Sequence, residues 1–291
     1  MNINRIQKNL NKNFDQITRD INFIKNKLIE INNKLESTNA FKNKEKESRG
    51  KLCSVSGLNY EKKIYNIVKK TKINGELFNT QQIHEIGGSK AINDIQCNFK
   101  DYRNIGIEVK KCNTPDWMQC SIKFNKKNSI WEGSSNGKIP LNSREIFNNL
   151  LKNRNLYNGK VPPFLENNIT HDEWINIKSE SNIWKDIYFD IPNDTIKNIY
   201  SEKGCYYIQI SDYGLYHLGN DICNFGVPEF KTKQRIRIRI KVHESKKLDG
   251  NCKLSVTASA QPYDIKNINK SIYSLDDISR LPPNLVYQFN S

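Results

Sequence analysis

No apolar run in the chain approaches the ~20 residues that cross a bilayer, and the amino terminus lacks the hydrophobic centre of a signal peptide. An intracellular, cytoplasmic protein without a transmembrane segment is expected. Seven cysteines, at 53, 97, 112, 120, 205, 223 and 252, form no Cys-x-x-Cys pair. Their scatter argues against a disulfide framework or a zinc ribbon and for reduced, structural thiols. The four histidines, at 84, 171, 217 and 243, are too dispersed to make a zinc site. A glycine-rich phosphate loop ending in Lys-Ser or Lys-Thr is also missing, so ATP-driven action is not supported. No internal repeat is visible.

Positive charge is abundant. Lys and Arg total 46 against 31 Asp and Glu, a net charge of +15, and so large an excess favours a polyanionic partner, nucleic acid above all. Hydrophobic residues make up 36% of the 291, low but compatible with a globular core.

Residues 1–48 read as a helix and linker. Ile3, Leu10, Phe14, Ile17, Ile21, Ile24, Leu28, Ile31 and Leu35 fall on a heptad grid, with Gln7 the polar member of the seam. A narrow apolar stripe on a polar helix cannot bury itself alone, which predicts a coiled coil between two chains and hence a homodimer. The alternative is a single helix packed on its own domain.

Residues 49–291 read as the folded domain. A helix with Leu58, Ile64, Tyr65, Ile67 and Val68 on its buried face is expected after Gly57, and a strand or irregular segment over residues 77–86. Pro115 and Asp116 suit the start of a turn or helix over residues 115–119, while Trp117 and Met118 are expected in the core. Residues 126–200 show helical patterns at 143–156 and 170–179 but no clear architecture. The last third reads as β-rich: strands at 205–211, 214–218, 234–243 and 254–260, a loop at 221–230, and a short helix within 274–283.

The organising stretch is residues 87–111. A Gly-Gly pair precedes one strand bearing Asp94; a polar turn leads to a second bearing Glu108, Val109 and Lys110. Alternation puts Glu108 and Lys110 on one face and Val109 on the other. Paired arms bring Asp94 to the same side. Two carboxylates held together suit Mg²⁺, and a neighbouring ammonium can orient water or stabilise developing phosphate charge.

Asn93-Asp94, thirteen intervening residues and Glu108-Val109-Lys110 resemble the bipartite signature of the PD-(D/E)xK nucleases, the superfamily of many type II restriction endonucleases. The likeness covers residues 58–125 or so, and Asn93 stands where that family's pattern has proline. The resemblance implies an α/β fold with a central mixed sheet flanked by helices, here preceded by the N-terminal coiled-coil helix. It implies Mg²⁺-dependent hydrolysis of double-stranded DNA phosphodiesters, sequence-specific and type II restriction-like, with a cognate DNA methyltransferase as a further partner. Asp94 and Glu108 become metal ligands with the Val109 carbonyl as a third contact, and Lys110 the cation at the water or phosphate. Glu61 matches the acidic residue the family often carries on the preceding helix; Glu76 and Glu85 are rivals. A structure-directed, repair or nicking nuclease, and a non-catalytic coiled-coil DNA-binding protein, are the alternatives.

A second constellation lies in residues 234–243. Arg235, Arg237, Arg239 and Lys241 share one strand face at intervals of about 6.6 Å, comparable to successive phosphates, so the ridge is expected to follow a DNA backbone. The competing explanation is an edge strand whose charges deter aggregation. Gln119 and Lys123 follow the second motif strand, a neighbourhood that the nuclease resemblance implies lies near the scissile phosphate, and are further expected DNA contacts.

Overall fold

Five successive residues of one strand, Ile105, Gly106, Ile107, Glu108 and Val109, are buried. Only a strand covered on both faces and paired on both edges allows this. That strand is β5 (Tyr102–Lys110) of a computed structural model that describes residues 16–18, 20–31, 52, 54–81, 93–99, 101–114, 116–134, 139–165, 167, 169–243 and 253–289. The chain is mixed α/β and divides into two units, Met1–Ser56 and Gly57–Ser291.

In the first unit, residues 16–18 and 20–31 are helical. Ile17, Ile21, Ile24, Leu28 and Ile31 of the heptad stripe are each more than half exposed. The heptad positions Ile3, Gln7, Leu10, Phe14 and Leu35 lie outside the described residues.

Helix α1 is continuous over residues 54–68, and in the second unit its Ile64, Ile67 and Val68 are buried. Among the described residues three sheets follow. The smallest joins β1 (Thr71–Ile73) to β2 (Glu76–Leu77) and to the C-terminal β13 (Leu285–Tyr287), all antiparallel. The second has the order β10-β9-β5-β4-β3, from β10 (Gly214–His217), β9 (Cys205–Ile210), β4 (Ile95–Phe99) and β3 (Asn79–Gln81). Its β5–β9 pair is parallel and the other pairs antiparallel, so this sheet is mixed. The third sheet is antiparallel, ordered β7-β6-β12-β11-β8. It comprises β6 (Met118–Asn125), β7 (Ile130–Gly133), β8 (Ile187–Ile191), β11 (Gln234–His243) and β12 (Lys253–Pro262).

Three further helices, α2 (Leu141–Leu151), α3 (His171–Glu180) and α4 (Thr195–Ser201), lie in the crossover between β5 and β9. Thr170 caps α3 through a reciprocal box with Glu173, satisfying amides that a bare helix start leaves unpaired.

Two cores form among the described residues of this unit. In one, α1 residues Ile64 and Val68 pack with Ile95, Ile105, Ile107 and Val109 on one face of the mixed sheet. In the other, Ile208, Ile210 and Cys205 of β9 pack with Ile196, Ile199 and Tyr200 of α4 and with Ile236, Ile238 and Val256 of the third sheet. The mixed sheet is thus covered by α1 on one side and by α4 and the antiparallel sheet on the other.

Several expectations are corrected. Residues 118–119 begin strand β6, not a helix, because Met118, Cys120 and Ile122 alternate with polar neighbours and are buried; Trp117 and Met118 are core, as expected. The helix expected within 274–283 is reduced to a 3-10 turn, Ile278–Arg280, followed by Leu281, Pro282 and Pro283 and then β13. Strand β11 forms as expected but is no edge: it pairs with β12 along its full length and with β8 over Gln234 to Ile238. Five described cysteines, at 97, 112, 120, 205 and 223, are free thiols, four of them buried. Cys53, Cys252, His84, Glu85, Gly87, Gly88 and Ile92 lie outside the described residues.

Candidate active site

β4 and β5 form the antiparallel hairpin, with Ile95 opposite Ile107. Asp94, immediately before β4, therefore comes alongside the Glu108–Lys110 end of β5. The Val109 amide donates to Asp94 Oδ2 at 2.8 Å. Lys110 Nζ then lies 3.1 Å from Asp94 Oδ2 and 2.5 Å from Glu108 Oε1, so both carboxylates converge on one cation.

A second lysine completes the cluster. Lys203, between α4 and β9, places Nζ 3.2 Å from Glu108 Oε2, and Cys205 Sγ is 3.6 Å from the same oxygen. The ring of Tyr200, on α4, lies 5.9 Å from Lys110 Nζ and 5.3 Å from Lys203 Nζ, close enough for its π-face to attract both ammonium groups. Glu108 itself is only 2% exposed. A carboxylate is almost never so deeply buried unless paired, and two ammonium groups against two carboxylates balance here.

Burial alone would push the Lys110 ammonium toward losing its proton. Asp94 and Glu108 outweigh that and hold its pKa well above the ordinary lysine value; it is a cation at neutral pH, not a base. Burial raises the Tyr200 phenol and the Cys205 thiol, the latter further through Glu108. Both stay protonated.

The donor set fits a hard divalent ion. Asp94 Oδ2 and Glu108 Oε1 already meet at a single positive atom, and the Val109 carbonyl leaves β5 on the same edge as the amide that reaches Asp94. Among the described residues no group of three or more His, Cys, Asp or Glu side chains forms a metal cage. Two carboxylates with waters and substrate oxygens are what Mg²⁺ commonly takes.

Glu61 lies on α1, half-buried, next to Tyr60, whose hydroxyl binds Asp276 at 2.9 Å and accepts from Gln209 at 3.1 Å. α1 covers the Val109 face of β5, whereas Glu108 and Lys110 project from the other. Glu76 is exposed on β2.

The basic ridge of β11 is interleaved with acid. Arg237 binds Asp186 at 2.5 Å and Asp116 at 3.5 Å, and Arg239 also reaches Asp116 at 3.5 Å. Arg235 stacks 4.6 Å from the Tyr188 ring centre and donates to Gln261 at 2.9 Å. Lys241 donates to Gln119, and Lys123 pairs with Glu132 at 3.4 Å. All four ridge side chains are half-buried.

Sequence reasoning missed Lys203 and Tyr200. No local periodicity marks them; only the parallel pairing of β9 with β5 carries Lys203 to Glu108, 95 residues away. Comparison with protein-family models, curated proteins and solved structures finds no match.

Proposed function

We propose that the protein is a Mg²⁺-dependent endonuclease of double-stranded DNA, restriction-endonuclease-like in its core and sequence-specific in the manner of type II enzymes. The observation that carries this is the convergence of Asp94 and Glu108 on the Lys110 ammonium within one hairpin. A mixed sheet in which a helix-led strand, β9, runs parallel to the strand bearing Glu-Val-Lys supports the resemblance noted from the sequence.

In that role Asp94, Glu108 and the Val109 carbonyl hold the metal. Mg²⁺, when bound, supplies positive charge to the phosphate and acidifies a coordinated water. Lys110 keeps a charged ammonium beside the carboxylates and presents it to phosphate oxygens, where negative charge grows as the phosphodiester is attacked. Arg235, Arg237, Arg239 and Lys241 give the duplex a basic strand to lie against, with Gln119 and Lys123 on β6, one strand removed across β12. The exposed Ile17–Ile31 stripe supports homodimerisation through the N-terminal helix, so that two sites face the two DNA strands. A cytoplasmic location and a partner methyltransferase belong to the same proposal.

Plasmid incubated with the protein and Mg²⁺ is expected to yield discrete fragments. Asp94→Ala and Glu108→Ala should each abolish cutting while leaving binding. Cutting by both variants removes the site assignment, a smear or nicked circle points to a less specific nuclease, and salt-sensitive binding without any cleavage leaves a DNA-binding protein. Removing residues 1–48 should take the mass seen by light scattering from twice 33.9 kDa to that of a monomer.

A further inference from the structure

We infer that Lys203 is a positioning residue for Glu108, and that its ammonium sets how tightly the Asp94–Glu108 pair takes a divalent cation. The inference rests on the nuclease reading above and adds to it a residue outside the sequence motif.

The two lysines divide the carboxylate between them. Lys110 Nζ touches Asp94 Oδ2 and Glu108 Oε1, at 3.1 and 2.5 Å, whereas Lys203 Nζ takes Glu108 Oε2 at 3.2 Å. A cation shared by Asp94 and Glu108 has to occupy the point now held by the Lys110 ammonium. Lys203 is not in that place. It keeps its oxygen, so the carboxylate stays rotated with Oε1 toward Asp94.

The backbone around Lys203 is built to hold this position. Its amide donates to Tyr200 O at 3.0 Å, and the Gly106 amide donates to Gly204 O at 2.9 Å. Gly204 has φ +72°, in the region that favours glycine, and a Cβ on Gly106 would fall 2.5 Å from Gly204 O. The Lys203–Gly204 loop is thus pressed against β5 two residues before Glu108. Asn93 Nδ2 donates to Lys203 O at 3.5 Å, and the lysine side chain, 11% exposed, runs over the Tyr200 ring. Beside it, Asn93 Oδ1 and the Tyr200 hydroxyl are buried without a hydrogen-bond partner. Such atoms call for a water or a ligand oxygen.

A fixed positive charge next to a bound dication weakens it. Neutralising Lys203 leaves two carboxylates facing Lys110 alone, so metal affinity rises; at the same time Glu108 loses the partner that orients it, so turnover falls. A lysine that merely stabilised the fold would not move metal affinity upward.

The test uses the full chain. Mn²⁺ is titrated without DNA and the free ion followed by electron paramagnetic resonance; Mg²⁺ for half-maximal plasmid cleavage is measured in parallel. Lys203→Met and Lys203→Gln are expected to bind Mn²⁺ about tenfold more tightly, to need correspondingly less Mg²⁺, and to cleave more slowly at saturation. Lys203→Arg, which keeps the charge, should stay near wild type. Unchanged or weaker Mn²⁺ binding in both folded neutral variants overturns the inference and leaves the nuclease reading intact. A fold lost in both but kept in Lys203→Arg makes the lysine a structural counter-ion, which also overturns it. Wild-type protein showing no Mn²⁺ binding that Glu108→Gln removes sinks the nuclease reading itself.

Discussion

Asp94 accepts the Val109 amide at 2.8 Å, fifteen residues along the chain. One carboxylate oxygen therefore ends the β4–β5 ladder and contacts the Lys110 ammonium at 3.1 Å, joining backbone register to site charge. Asp94→Ala leaves the amide without its acceptor and removes one partner of Lys110, at an expected cost of about 1–3 kcal/mol. Asp94→Asn retains an acceptor and should lose roughly half of that. Urea unfolding of the two variants measures the difference; equal losses would show that the amide contact contributes nothing.

Gly106 is the tightest point of the mixed sheet. An added Cβ meets Gly204 O at 2.5 Å, Asn93 Nδ2 at 2.7 Å and the Cys205 Cα at 3.0 Å, and two of these three are backbone atoms that cannot swing aside. Gly106→Ala is expected to destabilise by about 2–3 kcal/mol, as overpacking does, and to push the Lys203 loop away from Glu108. Thermal unfolding reads the first effect and plasmid cleavage the second.

Alkaline pH should weaken the fold through buried thiols. Burial pushes Cys120 up to about 11, and Cys223 to about 11 as well. The folded state thus holds these protons more tightly than the unfolded chain. Their contribution is complete below the unfolded value, near 8.5, and is lost as pH rises toward about 11. The loss should reach about 2–3 kcal/mol per thiol. Urea midpoints at about pH 8 and about pH 10.5 test this, and Cys120→Ala, though less stable at the outset, should show the shallower decline.

Asp116 restrains the basic ridge. It lies 3.5 Å from both Arg237 and Arg239 and accepts from Gln261 at 2.6 Å. Asp116→Asn should raise duplex affinity at low salt by removing a carboxylate from beside Arg239 and Arg237, although Asp186 still holds Arg237 at 2.5 Å. Arg237→Ala should lower affinity across all sequences and flatten the salt dependence by about one unit of slope. Affinity measured over a salt series decides, and no change in either variant takes β11 out of the DNA contact.

The hairpin and β11 were legible because they repeat locally. Ile105, Ile107 and Val109 alternate around Glu108, and Ile236, Ile238 and Ile240 alternate with arginine, so two residues' spacing suffices to assign a face. β6 was obscured: Pro115 and Asp116 are turn signals set directly before an alternating run, and the nearer signal dominated. The middle third hid its architecture because aromatic contacts between separate segments organise it. Trp131 packs 5.9 Å from Tyr157, Tyr157 5.5 Å from Trp184, and Trp184 6.2 Å from Trp174, none of which leaves a period in the text. Asp94, Glu108 and Lys110 were visible for the same local reason, and Lys203 was not, since its partner is set by a crossover.

That crossover also orders events in time. The carboxylates and Lys110 are made early, but β9, which flanks β5, ends at Ile210 of 291 residues. Synthesis at about 5–20 residues per second leaves a wait of about 5–20 s between Lys110 and that strand. During it, β5 presents an unpaired apolar edge, the kind that recruits other chains, and Glu108 lacks Lys203. A ribosome-bound chain is therefore expected to carry the motif for seconds before it carries the site, and to be most prone to aggregate in that interval.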